Sequence, residues 1–266
     1  MSRPPHPFAH VDDQSDPRAW IDVLDRLRSD PLYARYKTRV AELLDPVRGG
    51  RYLEVGSGTG ADAIELACRC GVEVVGVDSS RAMVEEARRR GLACAHVADA
   101  RALPFDAELF DGAWADRTFQ HLADPARVLA EMARVVRPGG AVVVADPDYG
   151  TQVVSIPDQD LADRVLRFRA GVGNWRLGHQ MARLFAEAGL ADVRAEAVPI
   201  VVTDPAALDN ALGLRTWAGL AASQGLLDGA DVARWEAALD EAAAGGWFLY
   251  AFCVFITTGR VAPRRS

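Results

Sequence analysis

The order of apolar segments in this 266-residue chain predicts an α/β fold, with a parallel sheet covered by helices on both faces. Between residues 51 and 145, short apolar runs alternate with segments whose apolar residues recur at helical spacing. One run, residues 72–78, is almost continuously apolar, as expected of a strand buried on both faces. A turn containing Gly56, Gly58 and Gly60 joins the first run to a helix. Such a turn is typical of the ligand-binding edge of an α/β sheet.

Composition limits the size of the fold and the kinds of partner that the protein can have. Half of the residues are hydrophobic, which suffices for one large core or for one domain with a small cap. The net charge of −7 argues against a nucleic-acid partner. No apolar run is long enough to cross a membrane, and the N-terminus lacks a signal-peptide core, so we expect a soluble cytoplasmic protein. Cys68 and Cys70 lack metal-site spacing, and we expect free thiols and no metal site.

Two helices are expected before the sheet begins. Asp16-Pro17 and Asp30-Pro31 each place a proline where it suits a first helical turn. The apolar positions that follow run to Leu27 in the first helix and to Leu44 in the second. These helices precede the alternating core. They either pack against the sheet edge or cover a ligand site, and both interpretations stay open.

The alternating core follows in chain order. The helix after the glycine turn begins at Ala61, and Ser79-Ser80 caps the next one. Asp124-Pro125 starts a third helix with its apolar residues on one face. The predicted strands are residues 51–55, 72–78, 92–98, 109–115 and 141–145.

After residue 148 the simple alternation ends. Residues 149–180 are mixed, and residues 193–202 are predicted to form a strand. Helical patterns occupy 205–224 and 228–243, and the aromatic run 247–256 is predicted to be the last strand.

A carboxylate two residues before the glycine turn sharpens its interpretation. Glu54 would repel a pyrophosphate, but it suits a cationic amine. With Ala61 in third place, the turn also fits the relaxed dinucleotide pattern G-x-G-x-x-A. A nicotinamide-dependent oxidoreductase therefore stays open as a less favoured alternative.

Residues 54–60, Glu-Val-Gly-Ser-Gly-Thr-Gly, resemble the first motif, E/D-x-G-x-G-x-G, of class I S-adenosylmethionine-dependent methyltransferases. The resemblance is strong over about residues 48–148, most like the UbiE-type small-molecule branch, and weaker over 174–202. Later segments resemble the family's successive motifs in order: Asp78, Asp99-Ala100, Leu103-Pro104-Phe105, Phe110-Asp111 and residues 137–140.

This resemblance implies a Rossmann-like seven-stranded sheet in the order 3-2-1-4-5-7-6, with the last strand antiparallel and helices on both faces. Residues 48–266 would form the methyltransferase core. The insertions at about 149–180 and 205–244 would form a helical cap over the carboxyl ends of the strands. Residues 1–47 would form an N-terminal helical lid, because such helices often cap the site in this family.

The resemblance also implies S-adenosyl-L-methionine as cofactor and assigns residues to its parts. The glycine turn would approach the methionine part, Glu54 would lie near the amine, and Asp78 would accept the ribose hydroxyls. Core packing for Met83 and helix capping for the aspartates are the alternatives. The implied cofactor residues are Glu54, Gly56, Ser57, Gly58, Gly60, Asp78, Ser79, Met83, Asp99 and Ala100.

The loop after the fourth strand carries the candidate base. In related small-molecule methyltransferases this loop lies between cofactor and acceptor, often with two adjacent histidines. Here Gln120 replaces the first and His121 keeps the second. A neutral imidazole accepts a proton near pH 7, so His121 is the candidate base, and a histidine bonded only to backbone is the alternative.

Three further residues are candidates for supporting roles. Asp146 follows the fifth strand and could orient His121, with Asp148 as second choice. These two carboxylates could also mimic a metal-dependent variant, which we favour less. Arg117 could hold the methionine carboxylate or pair with Asp116.

The expected reaction is methylation of a small hydrophobic or amphipathic acceptor, such as a secondary metabolite or quinone-like compound. Oxygen is the first choice of accepting atom, before carbon and nitrogen. Cap side chains such as Trp175 and Trp217 would line the acceptor site. A non-methylating protein built on the same scaffold is a further alternative.

Overall fold

The computed structural model describes residues 12, 17–29, 31–170, 174–206 and 213–263. Its centre is a seven-stranded sheet. The strands are β1 (Arg51–Val55), β2 (Glu73–Asp78), β3 (Ala95–Val97), β4 (Phe110–Asp116), β5 (Val136–Val154), β6 (Leu190–Val202) and β7 (Tyr250–Val261). The helices of the described residues are α1 (Pro17–Ser29), α2 (Pro31–Leu44), α3 (Ala61–Cys70), α4 (Arg81–Arg90), α5 (Pro125–Val135), α6 (Gln159–Ala170), α7 (Met181–Glu187), α8 (Thr216–Ser223) and α9 (Gly229–Ala244).

The strand order is β3-β2-β1-β4-β5-β7-β6, which confirms the predicted sheet. Strands β1 to β5 pair in parallel, and β7 runs antiparallel to both β5 and β6, as predicted. The carboxyl ends of the parallel strands therefore meet at one edge of the sheet, where open α/β folds bind ligands.

The strands around β7 are longer than their apolar runs predict. β5 continues to Val154 through a register shift between Asp148 and Val153. Residues 149–154, which the sequence places in the cap insertion, thus belong to the sheet. The reason is the start of β7, because Ala251 and Tyr250 offer backbone partners to Val153 and Val154. A pairing with a partner a hundred residues away leaves little mark on the local sequence.

Helix caps explain where the core helices begin. Ser80 accepts a hydrogen bond from the Met83 N–H group at 3.2 Å and starts α4. Asp124 accepts one from the Arg127 N–H group at 3.0 Å and starts α5, with proline in the first turn as predicted.

Two hydrophobic clusters cover the two faces of the sheet. Successive residues of β5 point to opposite faces of the sheet, so Val143 lies in the first cluster and Val142 in the second. Helices α2, α3, α4, α6, α8 and α9 contribute to the first cluster, whereas α5 and α7 contribute to the second. No helix of the described residues is long and apolar enough to cross a membrane.

Candidate active site

A cavity of about 990 Å³ opens at the carboxyl edge of the parallel strands. Its volume lies at the upper end of the range for small-molecule sites, so it can hold a cofactor and a second small molecule. Nearly all of the predicted cofactor residues line it, together with Arg117 and His121. The predicted residues in its wall are Glu54, Gly56, Ser57, Gly58, Asp78, Ser79, Met83, Asp99, Ala100, Arg117 and His121.

The glycine turn is shaped by close backbone approaches. At Gly56 (φ +73°) an added Cβ would lie 2.3 Å from the Thr118 hydroxyl oxygen, so only glycine fits beside the β4 loop. Gly60 is outside the cavity wall, and a Cβ there would lie 2.9 Å from Ala87 in α4. Gly60 therefore permits helix packing, whereas Gly58 faces the cavity beneath Leu24 of α1.

Glu54 is a buried acid that faces the cavity with one oxygen unsatisfied. Its side chain receives a hydrogen bond from Trp114, while Oε2 has no hydrogen-bond partner among the described residues. Burial raises the pKa of Glu54 well above its usual range, and nearby Asp62 adds to this, while Lys37 opposes it. An orphaned carboxylate oxygen in this position fits a cationic amine.

Side chains of α2 form a charged network close to Glu54. Lys37 lies between two carboxylates, with Nζ 2.6 Å from Asp116 Oδ2 and bonded to Asp62. Tyr36 donates its hydroxyl proton to Asp116 at 2.9 Å. Neither Tyr36 nor Lys37 is among the residues predicted for the site. The sequence feature that could have indicated them is a lysine beside a tyrosine on the apolar face of the second predicted helix.

Arg117 lies close to Asp116, one of its two predicted partners, and it also lines the cavity. Its Nε is 3.9 Å from Asp116 Oδ2, and its guanidinium carbon lies 5.1 Å from the centre of the Tyr33 ring. The residue has a left-handed backbone (φ +52°), which is unusual for arginine and turns the chain out of β4.

The aspartates after β2 and β3 have different surroundings. Asp78 accepts hydrogen bonds from the N–H groups of Gly58 and Ser80, each at 2.9 Å, and so ties the glycine turn to the end of β2. Asp99 is exposed and pairs with Arg101 at 2.7 Å. Asp12 accepts a hydrogen bond from the Ser80 hydroxyl at 2.6 Å, beside the start of α4.

Asp146 holds the loop that carries His121. The loop forms a single 3₁₀ turn, Phe119–His121. Both oxygens of the buried Asp146 accept backbone N–H groups, from Phe119 at 3.1 Å and from Gln120 at 3.2 Å. The prediction was that Asp146 orients the imidazole of His121. The hydrogen bonds of Asp146 instead fix the backbone turn that carries His121.

Asp148, the second choice for orienting His121, is bonded elsewhere. It lies 2.5 Å from His179 Nδ1 and accepts the N–H group of Gly150 at 2.8 Å. His179 does not line the cavity. Among the described residues, no cluster of histidine, cysteine, aspartate and glutamate is placed to hold a metal ion.

The far end of the cavity has an aromatic wall. Tyr149 stacks on Phe252, with ring centres 5.3 Å apart, and lies 4.9 Å from Trp175. All three line the cavity, as does Arg169 of α6. Trp175 is thus a wall residue as predicted, whereas the buried Trp217 is outside the wall. No described residue of 213–244 lines the cavity, and residues 207–212 lie outside the described part.

Comparison with known proteins decides the family. Residues 53–144 match the family described as a methyltransferase domain. The chain is 35% identical over 251 residues to an uncharacterized 37.1 kDa protein in transposon TN4556 of Streptomyces fradiae, covering 91% of this chain and 72% of that protein. The chain belongs to the class I S-adenosylmethionine-dependent methyltransferases. The resemblance in its sequence is confirmed, and S-adenosylmethionine is its cofactor.

Two further relatives of this methyltransferase inform its chemistry. It is 34% identical over 134 residues to O-methyltransferase cnsE of Penicillium expansum, covering 48% of this chain and 49% of that protein. The chain thus spans about half the length of that named relative. It is 26% identical to the [4+2]-cyclase SpnF, with a TM-score of 0.54, covering 86% of this chain and 82% of that one.

The residues present at the cavity fit this cofactor. The orphaned Glu54 oxygen suits its ammonium group, and Asp78 lies at the strand end where a ribose diol can bind. Met83 is buried and lines the wall, so it supplies an apolar surface for a planar base.

Proposed function

We propose that this methyltransferase transfers a methyl group to an oxygen atom of a small hydrophobic or amphipathic molecule. The observation that supports this is one continuous cavity, with the family's motif residues at one end and an aromatic wall at the other. A site with both parts suits a polar cofactor and an apolar acceptor together.

The His121 loop contacts both ends of this cavity. On one side the Thr118 hydroxyl donates to the Val55 carbonyl of β1 at 3.3 Å, beside the glycine turn. On the other side the Asn174 N–H group donates to the Gln120 carbonyl at 3.3 Å, beside the aromatic wall. A side chain on this loop is therefore placed where cofactor and acceptor would meet.

The roles of the residues follow from this arrangement. The cofactor supplies a methyl group on a sulfonium, which needs alignment more than activation. Glu54, the glycine turn and Asp78 would hold it. His121 would accept the proton of an acceptor hydroxyl, and Asp146 would fix the turn from which His121 acts. The aromatic wall would exclude water from the site.

One relative and one residue support oxygen as the accepting atom. The relative from Penicillium expansum is named an O-methyltransferase. A base such as His121 is useful where a hydroxyl must lose its proton during transfer. A secondary metabolite or quinone-like compound would match an acceptor end lined by Tyr149, Trp175 and Phe252.

Substitution of His121 tests the proposed base. His121→Ala should lower turnover by about 10²-fold or more, the usual contribution of a positioned proton acceptor, with cofactor binding nearly unchanged. The loss should shrink at high pH, where the acceptor hydroxyl ionises by itself. Turnover is measured as S-adenosylhomocysteine formed with a panel of hydroxylated aromatic acceptors.

The exposed His96 on β3 supplies the matched control, and His96→Ala should keep full turnover. If His121→Ala keeps near-normal turnover at every pH, His121 is not the base. The methyltransferase assignment would still stand.

A non-methylating activity is the second candidate, because the chain is similar to the [4+2]-cyclase SpnF over most of its length. It predicts that the protein binds S-adenosylmethionine, yet forms no S-adenosylhomocysteine with any acceptor in the panel. Calorimetric titration with the cofactor, run beside the turnover assay, separates the two functions.

A further inference from the structure

Arg169 lies at the acceptor end of the cavity in an aromatic cage. It is carried by α6 and lines the cavity wall. Its guanidinium carbon is 3.8 Å from the centre of the Trp175 ring, 5.0 Å from that of Trp217 and 5.5 Å from that of Tyr149. These rings fix the plane of the guanidinium group and attract its positive charge.

Arg169 differs from the other arginines that line this cavity in having no acidic partner among the described residues. Arg28 pairs with Asp62 and with Glu65. Arg101 pairs with Asp99, and the Nε atom of Arg117 is 3.9 Å from an oxygen of Asp116.

No carboxylate of the described residues forms an ion pair with Arg169, and its Nε atom is buried without a hydrogen-bond partner. The cation is thus retained in the wall without a counter-charge from the parts of the chain that the structure describes.

The groups that face Arg169 do not neutralise it. They are the phenols of Tyr149 and Tyr250. Burial raises the pKa of both tyrosines, so both phenols stay protonated at neutral pH. Burial also lowers the pKa of the Arg169 guanidinium, because these surroundings favour its uncharged form. Cation–π contacts offset only part of the cost of burying an unpaired ion.

We propose that Arg169 binds an anionic group of the methyl acceptor, so that the acceptor is a small aromatic or unsaturated carboxylate. This inference rests on the proposed function, because it assigns the aromatic end of the cavity to the acceptor. The planar guanidinium presents paired N–H groups that match a carboxylate. Tyr149 and Phe252 supply a stacked aromatic surface beside it for a flat apolar body.

Matched acid and amide ligands test this proposal on the wild-type protein. Benzoate and benzamide, cinnamate and cinnamamide, and 1-naphthoate and 1-naphthamide differ in charge but barely in shape. Each is titrated by calorimetry into protein saturated with S-adenosylhomocysteine. We expect at least one acid to bind about tenfold or more tightly than its amide, the effect of one charged hydrogen bond.

Variants of one helix then assign the preference to a residue. Arg169→Met keeps the length of the side chain but removes its charge, and it should abolish the preference for the acid. Arg167→Met is the matched control, because Arg167 is exposed on the same helix, two residues away. It should leave the preference unchanged. Circular dichroism checks that each variant is folded, and the wild-type comparison stands without any variant.

The possible results separate this inference from the proposed function. Equal binding of acid and amide in every pair, absence of acid binding up to millimolar concentration, or a preference that Arg169→Met retains would each overturn the role of Arg169. Turnover with neutral acceptors would then still support methyl transfer. Conversely, an acid preference without S-adenosylhomocysteine formation would retain the anion site and reject methylation.

Discussion

Glu54 shows how a single residue can select a ligand. It is almost fully buried, and two further carboxylates, Asp62 and Asp116, lie close enough to raise its pKa. Lys37 offsets only part of this repulsion. A pyrophosphate would add negative charge to this corner, which argues against the nicotinamide-dependent alternative. An ammonium group would instead supply the missing positive charge.

The raised pKa of Glu54 leads to a prediction about proton release. Glu54 holds a proton in the ligand-free protein at pH values where a free glutamate would be ionised. An ammonium group favours the carboxylate and lowers this pKa, so binding releases a proton. Cofactor affinity should therefore rise with pH below the raised pKa of Glu54, and it should level off once Glu54 is ionised in the ligand-free protein.

Calorimetry in buffers of different ionisation enthalpy measures the protons released. S-Adenosylhomocysteine, which carries the amino acid group, should release them. Methylthioadenosine lacks that group and should not. Equal release by both ligands would mean that Glu54 does not face the amine.

At the scale of elements, a half-buried lysine adds an ionic link between α2 and the core to the apolar contacts of that helix. Lys37 bridges Asp62 on α3 and Asp116 at the end of β4, and only 18% of its side chain is exposed. On the outer side of the same helix, Arg39 pairs with Glu196 at 2.6 Å, and both side chains are 39% exposed. The Lys37 pairs are more buried than the Arg39–Glu196 pair. Burial decides how much an ion pair contributes to the free energy of unfolding.

Substitution of Lys37 should destabilise the protein far more than substitution of Arg39. Lys37→Met removes the cation that two carboxylates near Glu54 share, which should cost about 3 kcal/mol of unfolding free energy. Arg39→Met, the matched control on the same helix, should cost less than about 1 kcal/mol. Urea unfolding of the ligand-free variants measures both. Similar losses in the two variants would show that Lys37 does not hold α2 to the core.

At the scale of the molecule, the sequence predicted what is encoded locally. The glycine turn after β1 and the acid at the end of β2 lie in short motifs. The family resemblance that these motifs carry implied the sheet order and the residues expected to hold the cofactor. The acceptor end could not be predicted in this way. Tyr149 and Phe252 lie on β5 and β7, which pair across about a hundred residues, and Arg169 comes from α6. Likewise, no local signal separates the wall residue Trp175 from the buried Trp217.

We expect the N-terminal helix α1 to respond to cofactor binding. Trp20, Leu24 and Arg28 of α1 line the cavity, which favours a lid over simple packing at the sheet edge. If α1 must open before the cofactor leaves, bound S-adenosylhomocysteine should slow amide exchange in Pro17–Ser29. At a ligand concentration of about 100 times the dissociation constant, the protection can reach about 2.7 kcal/mol, or roughly a hundredfold. Mass spectrometry of hydrogen exchange measures this, with Gly229–Ala244 as the internal control, because that helix is outside the cavity wall. Exchange in Pro17–Ser29 that is unchanged by ligand would place α1 at the sheet edge as a packing element only.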